Sequence, residues 1–341
     1  MIRRGAWSRR ALLALLALAA VAMGGAPERL EAQGAAAPVD RSSAGRLAAS
    51  CGSGGSAALA ASCAEAALGA VALTEGVSLL VGAGGALPVS PSTAGHRMEG
   101  TPRVVVDAGV NLARIRHLDL SATPGTLRET HSTLVAGRLT ATAGIFDGFR
   151  PVATVGGVGA VDGVVSLRLA RLPDGPGDQA RTAVAWGGGV RLGVVRESFT
   201  LPGITVTGLH HRLGTIRHGQ LPSGGSQLIL SPHVTSVRLE VGKDLLAFGL
   251  TGGAALERVG GRTRIRAPGE AGEVGEAARA DLGRTRPTFF AGANYTWLVT
   301  QVAGEVTWAP GRSFSDDLLP LDVFPLDRGQ LQVTLTFRLI Y

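Results

Sequence analysis

Apolar side chains occupy every second position in the last eleven residues of the chain. Successive side chains of a β-strand face opposite sides, so this alternation predicts a strand with one apolar face. Polar residues fill the positions between them, apart from Ile340. The apolar face closes on an aromatic residue and consists of Leu331, Val333, Leu335, Phe337, Leu339 and Tyr341.

The same period of two recurs from about residue 102 onward and predicts ten strands. Hydrophobic residues make up 45% of the chain, yet we find no apolar run of the roughly 18–20 residues that a spanning helix needs. A barrel has this character, because its apolar residues alternate with inward-facing ones. The predicted strands cover residues 102–116, 131–145, 158–172, 180–196, 203–218, 226–241, 245–258, 286–298, 301–309 and 329–341.

The connections between these strands fall into two groups. If the first strand runs outward, the long connections lie outside the membrane and the short ones inside, as in outer-membrane barrels. The long connections are 117–130, 259–287 and 310–328, and the short ones are 197–202, 298–300 and a tight turn at 242–244.

Two points leave the strand count open. The connection 146–157 is long for an inner turn and is a candidate for a misplaced strand. A twelve-strand barrel that also uses residues 75–87 is the alternative to ten strands.

The first 34 residues have the features of a signal peptide. Two arginine pairs precede an apolar core at 11–23, which is too short to span a membrane, and small residues favour cleavage after residue 34. Residues 8–13 also resemble a twin-arginine signal. That route exports folded proteins, whereas a membrane barrel must arrive unfolded, so the Leu-rich core favours the general secretory route.

The aromatic ending of the last strand, together with the export signal, resembles the pattern of Gram-negative outer-membrane β-barrels. These barrels commonly end on an aromatic residue that the insertion machinery recognises. The resemblance implies an all-β fold, an antiparallel up-and-down transmembrane barrel of about 10–12 strands over residues 102–341, in the cell outer membrane. It implies lipid, barrel-assembly machinery and periplasmic chaperones as partners, with Phe337, Leu339 and Tyr341 as the assembly signal. The aromatic content of 4% is low for this class.

Residues 35–101 are rich in Ala, Gly and Ser and contain both cysteines. Two cysteines in an exported chain predict one disulfide, Cys51–Cys63, because the periplasm is oxidising. Helices are predicted at 44–50 and 57–73, with a short strand at 77–81. The segment is either periplasmic or a plug, and it loosely resembles the plug of fatty-acid transport barrels. It lacks their Asn-Pro-Ala signature, so no substrate can be carried over.

The formal charge of +7 gives little evidence for a nucleic-acid partner. Without residues 1–34 the chain has 28 basic and 24 acidic residues, a net charge of +4. An exported protein would also not meet nucleic acid.

The inward faces of the predicted strands carry charges of both signs. A narrow lumen needs this, because each buried charge requires a partner. The arrangement suits either a salt-bridged, filled interior or a polar path for solutes. The lumen-facing candidates are Asp107, Arg138, Asp162, Arg168, Arg191, Arg212, Arg238, Glu240 and Glu305.

We predict no catalytic, cofactor or metal site. His210 and His218 share a strand parity but lie ~26 Å apart at ~3.3 Å per residue, and His211 faces the opposite side. Ten-stranded outer-membrane proteases use acidic pairs and a histidine at the rim, but the acidic pair at 316–317 lacks a matching motif. The glycine-rich runs at 82–85 and 156–159 are not phosphate loops.

Three functional hypotheses follow. The first is a channel or transporter for small or hydrophobic solutes. The second is a structural or adhesive barrel with exposed loops and a filled lumen, and the third is a soluble secreted all-β protein. An open water path would favour the first, and a filled interior would favour the second.

Overall fold

The computed structural model describes the chain in ten segments, all within one compact unit, Arg41–Tyr341. We describe no structure outside these segments, which excludes the predicted signal peptide and the acidic pair at 316–317. The described residues are 43–53, 56–82, 97–98, 101–119, 129–149, 157–172, 182–219, 227–268, 274–311 and 328–339.

Ten long strands pair in antiparallel fashion with their sequence neighbours to form the wall. The last strand pairs with the first, from Leu331 opposite Arg114 to Arg338 opposite Asp107, and this seam closes the barrel. The predicted all-β, up-and-down barrel with ten strands is confirmed. The wall strands are β3 (Val104–Leu118), β4 (Glu129–Phe146), β5 (Ala160–Arg171), β6 (Thr182–Val195), β7 (Gly203–Leu213), β9 (Gln227–Leu245), β10 (Phe248–Pro268), β11 (Val274–Trp297), β12 (Thr300–Ala309) and β13 (Gln330–Leu339).

Three short strands accompany the wall. β1 (Arg97–Met98) and β2 (Thr101–Pro102) form a small hairpin, and β8 (Ile216–His218) pairs with the start of β9. We call the end of the barrel that holds the β3–β4, β5–β6, β7–β9, β10–β11 and β12–β13 connections the long-loop end. The opposite end, with two-residue turns after β9 and β11, is the short-turn end.

Alternation decides which side chains face outward. On β13 the exposed apolar residues run from Leu331 to Leu339, which is about 27 Å along the strand at ~3.4 Å per residue. Outward apolar stretches of the same length run from Val104 on β3 and from Phe248 on β10. With a strand tilt of ~40°, these stretches form an apolar band roughly 20 Å high around the wall.

Aromatic rings mark both edges of this apolar band. Phe289 and Trp308 stack with their ring centroids 5.9 Å apart at the long-loop edge. Phe248 and Tyr295 pair at 4.9 Å at the short-turn edge. An apolar band flanked by interfacial aromatics gives this chain the architecture of an outer-membrane β-barrel.

Among the described residues, two helices precede the wall, and the second lies inside it. α1 (Ser43–Gly52) contacts β11, and α2 (Ala57–Val81) contacts β3, β4, β9, β10 and β13. The predicted disulfide between Cys51 and Cys63 is present and joins α1 to α2. Gly76 lets α2 approach the wall closely, because a Cβ there would come within 2.8 Å of the Ile115 side chain.

The structure corrects the sequence-based prediction for residues 75–87. Residues 77–81 are helical and do not form a strand, and the twelve-strand alternative is wrong because α2 extends to Val81. Leu59–Val81 is also long and apolar enough to span a membrane by length and composition, contrary to our expectation, but most of it is buried. A helix that is apolar on all sides is stable when protein surrounds it, and the barrel wall does so here.

Two predicted connections are also wrong. Residues 242–244 are paired within β9, and the chain turns at Leu246 and Ala247, where Leu246 adopts a φ of 59°. Most of the predicted loop 259–287 is strand, because β10 and β11 continue to pair far beyond the apolar band. The exposed residues there are mainly arginines on β10 and include Arg279, Asp281 and Thr285 on β11, so apolar alternation disappears while the backbone ladder continues.

The connection 147–159 holds no hidden strand among its described residues. Phe149 and Val158 form a single isolated bridge, and the Arg196 side chain donates to the Asp147 carbonyl. Gly148, at the start of this connection, has a φ of 81°.

The depth of Leu335 in the apolar band gives a test of the wall. Leu335 lies midway along the band and is 60% exposed. We expect Leu335→Arg to lower the free energy of unfolding in lipid vesicles by ~2–4 kcal/mol, because it puts a charge at the bilayer midplane. The control is Val299→Arg in a short turn, where the expected loss is ~0–1 kcal/mol. Equal losses in urea unfolding would contradict the assigned band.

The disulfide gives a second test. Alkylation of unreduced protein should detect no free thiol, since Cys51 and Cys63 are paired. Both are buried within the helical segment. The variant Cys51→Ser/Cys63→Ser should keep a heat-modifiable wall, but limited proteolysis should cut α1 faster, because closing a loop of this size stabilises by ~3 kcal/mol. Unchanged cleavage rates would show that the disulfide does not hold α1 in place.

Candidate functional site

The barrel interior gathers most of the charges predicted to face the lumen. The structure buries these side chains on the inner side of β3, β4, β5, β6, β9 and β12. They are Asp107, Arg138, Asp162, Arg168, Arg191, Arg238, Glu240 and Glu305.

Arg212 was assigned to the lumen, and this assignment is wrong. The buried side chain on this part of β7 is His211, whose Nε2 lies 2.7 Å from the Ser166 hydroxyl. Arg212 has the opposite parity and is exposed on the outer face, where its Nε donates to Nε2 of His210. The weak alternation of β7 in the sequence did not fix this parity.

Six of these predicted charges take part in three groups of ion pairs. Arg338 binds Asp107 with two hydrogen bonds across the seam, the one from Nη2 being 2.8 Å long. Arg191 lies 2.6 Å from Asp162. The third group is Arg238, which bridges two carboxylates.

Arg238 lies between Glu240, at 3.1 Å, and Glu305, at 2.7 Å. Its guanidinium also lies over the ring of Phe290, 3.3 Å from the ring centroid. Such pairs satisfy charges that would otherwise be costly to bury, and they join distant strands of the wall.

Other wall residues hold the C-terminal part of α2. The carbonyl oxygen of Leu80 accepts hydrogen bonds from Asn111 at 3.1 Å and from Arg168 at 3.0 Å. A cation near a helix C-terminus also interacts favourably with the helix dipole. Because Asn111 lies at the middle of β3, the helix ends near mid-height of the wall.

A second anchor lies one turn earlier in α2. Arg286 donates to the carbonyl oxygen of Glu75 at 2.9 Å and pairs with Glu257 at 2.7 Å. Arg284 pairs with the Glu75 carboxylate. Glu257 and Arg286 were not among the predicted lumen residues; they lie at the ends of the predicted strands 245–258 and 286–298, next to the assumed loop 259–287, and the structure continues both strands through it.

Arg138 and Arg168 form an unusual pair in this interior. They lie directly opposite each other on β4 and β5, and both are buried. Arg138 donates to the Thr336 hydroxyl and Arg168 to Leu80, but several of their other N–H groups have no protein acceptor. Like charges opposite each other destabilise a sheet, so this pair is unfavourable for the wall.

The two halves of the interior differ in chemistry. Around α2, at the long-loop end, the wall contributes apolar side chains such as Ile115, Leu118 and Leu134 to one shared core with the helix. The charged groups lie mainly toward the short-turn end. There, a cavity of about 10 Å³ lies beside Arg103, Asp162 and Arg338, enough for roughly one water.

The larger depression lies on the outer wall. It has a volume of about 660 Å³ and lies between Val110, Leu139, Leu169 and Leu335. Gly137 lines the depression, and a Cβ added at this position would project into its empty space without meeting any atom within 4 Å. This depression lies on the outward apolar face of the wall and is not part of the interior.

The histidines do not form a shared site. His210 and His233 lie on the outer face with ring centroids 6.0 Å apart, whereas His211 and His218 are buried. Among the described residues, no three His, Cys, Asp or Glu side chains come together as metal ligands.

The residues assigned to the assembly signal fall at the end of β13. Phe337 and Leu339 face outward within the apolar band. Tyr341 lies outside the described residues.

No protein-family model and no curated protein sequence matches the chain. Among solved structures, it is similar to the translocator domain of the autotransporter NalP from Neisseria meningitidis, with 8% identity and a TM-score of 0.41 over 72% of this chain and 91% of that one. A mutant of the monoaromatic hydrocarbon channel TodX matches with 12% identity and a TM-score of 0.30 over 72% and 70%. The Ralstonia pickettii toluene transporter TbuX matches with 11% identity and a TM-score of 0.21 over 74% and 92%.

The ion pair across the seam gives a third prediction. Asp107→Asn should lower the free energy of unfolding by ~3–5 kcal/mol, because it leaves Arg338 buried without its partner. The matched variant Asp107→Asn/Arg338→Met removes both charges, and urea unfolding should show that it recovers most of this loss. If the double variant loses as much free energy of unfolding as Asp107→Asn and Arg338→Met lose together, the two residues are not coupled.

Proposed function

We propose that this protein is a structural barrel of the outer membrane that is closed by its own N-terminal helix and presents its long connections outside the cell. Export by residues 1–34 and insertion guided by Phe337, Leu339 and Tyr341 belong to this proposal. The proposed role involves no catalysis and no cofactor, and its partners are outer-membrane lipid and the assembly machinery.

The filled interior is the observation that carries the proposal. α2 and the wall form one continuous core, so the long-loop half of the barrel is packed like the inside of a soluble protein. Water-filled barrels have polar interiors, whereas this half is apolar. Withdrawing the helix would expose that apolar surface to water, which costs a free energy of about 25 cal/mol per Å² of surface exposed.

The outer face supports a location in the outer membrane. Val106, Leu139, Val165, Leu239 and Leu335 are all 48–61% exposed near the middle of the wall. A continuous apolar surface around the whole molecule would drive aggregation in water, but it is stable against hydrocarbon. This observation favours the membrane barrel over the soluble secreted alternative.

A plugged channel for small or hydrophobic solutes is the second candidate. The N–H groups of Arg138 and Arg168 that have no protein acceptor favour a channel, because they lie in the polar half of the interior. Arg168 contacts the end of α2, and Arg138 lies opposite it on the next strand. In this case the helix would have to move before any solute could pass.

Conductance in a planar bilayer separates the two candidates. Refolded full-length protein, with insertion verified by heat modifiability, should show no discrete current steps, because α2 blocks the interior. A variant lacking residues 43–82 should show steps if its wall still folds. Current steps from the full-length protein would contradict the closed structural barrel and support the channel.

A further inference from the structure

Arginines replace apolar residues on the outer face immediately beyond the long-loop edge of the apolar band. Arg114 follows Leu112 on β3, and Arg258 follows Leu256 on β10, each at the next outward position. On β5 and β7, the last outward residues are Arg171 and Arg212. All four are exposed, and we call Arg114, Arg171, Arg212 and Arg258 the arginine belt.

Strand register places the belt beside the aromatic edge of the band. Arg114 lies opposite Leu331, which lies opposite Trp308 on the next strand. Arg212 lies opposite Trp186. Tryptophan prefers the membrane–water interface, so the guanidinium groups of Arg114 and Arg212 lie at the height of the lipid headgroups. Arg171 and Arg258 are the first outward residues beyond the apolar band on their own strands.

The short-turn edge of the apolar band has fewer basic residues on its outward face in the described part of the chain. Its outward cation among the described residues is Lys243, which pairs with Glu197 at 3.7 Å and donates to backbone carbonyls including that of Phe199. Lys243 is therefore held by groups of the protein. At the long-loop end, the β10–β11 hairpin adds further exposed arginines beyond the belt: Arg262, Arg264, Arg266 and Arg279.

We infer that the arginine belt binds the phosphate groups of phosphorylated lipids in the outer leaflet. Arg forms bidentate hydrogen bonds with phosphate oxygens, and a lipid headgroup reaches this height on every side of the wall. The inference rests on the proposed function, because it requires the long-loop end to face outward. An acidic protein would contact one sector, whereas the belt spans β3, β5, β7 and β10.

Binding to phosphorylated lipid A provides the direct test. The full mature chain is refolded into phosphatidylcholine vesicles that contain either lipid A or its dephosphorylated form. Wild-type protein should bind the phosphorylated form more tightly, and added salt should weaken binding. Changing all four belt arginines to Gln should weaken binding at least about tenfold, since each basic residue near an anionic surface contributes to affinity.

The matched control removes the same charge farther from the bilayer. It changes Arg262, Arg264, Arg266 and Arg279 to Gln and should weaken binding less than about threefold, because screening is strong beyond ~8–10 Å. Equal weakening in both variants would overturn the belt as a site and indicate general charge attraction. Equal binding of phosphorylated and dephosphorylated lipid A would also overturn the belt as a site. So would a belt variant that changes in oligomeric state but binds lipid A as tightly as wild type.

Labelling in whole cells separates failure of the inference from failure of the proposed function. In a background without Cys51 and Cys63, a cysteine replacing Asp281 should react with a membrane-impermeant reagent in intact cells. A cysteine replacing Val299 should react only after the outer membrane is opened. The reverse pattern would overturn both the orientation and the outer-leaflet assignment. The expected pattern without lipid A binding would overturn the belt alone.

Discussion

Closure of the backbone hydrogen-bond ladder is the constraint on which this structure depends. Unsatisfied N–H and C=O groups cost several kcal/mol each in hydrocarbon, so a sheet can cross a membrane only if it has no free edge. Pairing of β13 with β3 removes both edges, and the Asp107–Arg338 ion pair lies across this seam. Once the ladder is closed, alternation divides every strand between the outer face and the interior.

Closure also creates an interior that must be filled. Most charges are buried there as pairs, and Arg238 with Glu240 and Glu305 shows how side chains from separate strands meet this requirement. The other half of the interior is filled by a helix that would be insoluble alone. Arg168, Arg286 and Asn111 satisfy carbonyls near its C-terminal end, so the charged half of the barrel also positions the apolar half.

The outer surface is organised by depth in the same way. Leucine, valine and aromatic residues form the band, and arginines begin where the band ends at the long-loop side. Charge is tolerated on the wall only where water or a headgroup can reach it. This depth dependence explains why the β10–β11 hairpin, although strongly basic, continues as regular strand beyond the band.

The sequence by itself predicted the strands of the wall, because a period of two is a local property of each strand, and the aromatic ending together with the export signal favoured a barrel over a soluble sheet. It also identified the Cys51–Cys63 disulfide from the oxidising compartment. Only the tertiary structure decided that residues 77–81 are helical, since α2 is stable as a helix where the wall surrounds it. Arg212 faces outward and Arg286 inward because neighbouring strands fix their parity, and no local pattern in β7 or in the basic hairpin shows this. Interior contacts between residues distant in sequence, such as Arg168 with Leu80, arise from closure, so they could not be read from either segment alone.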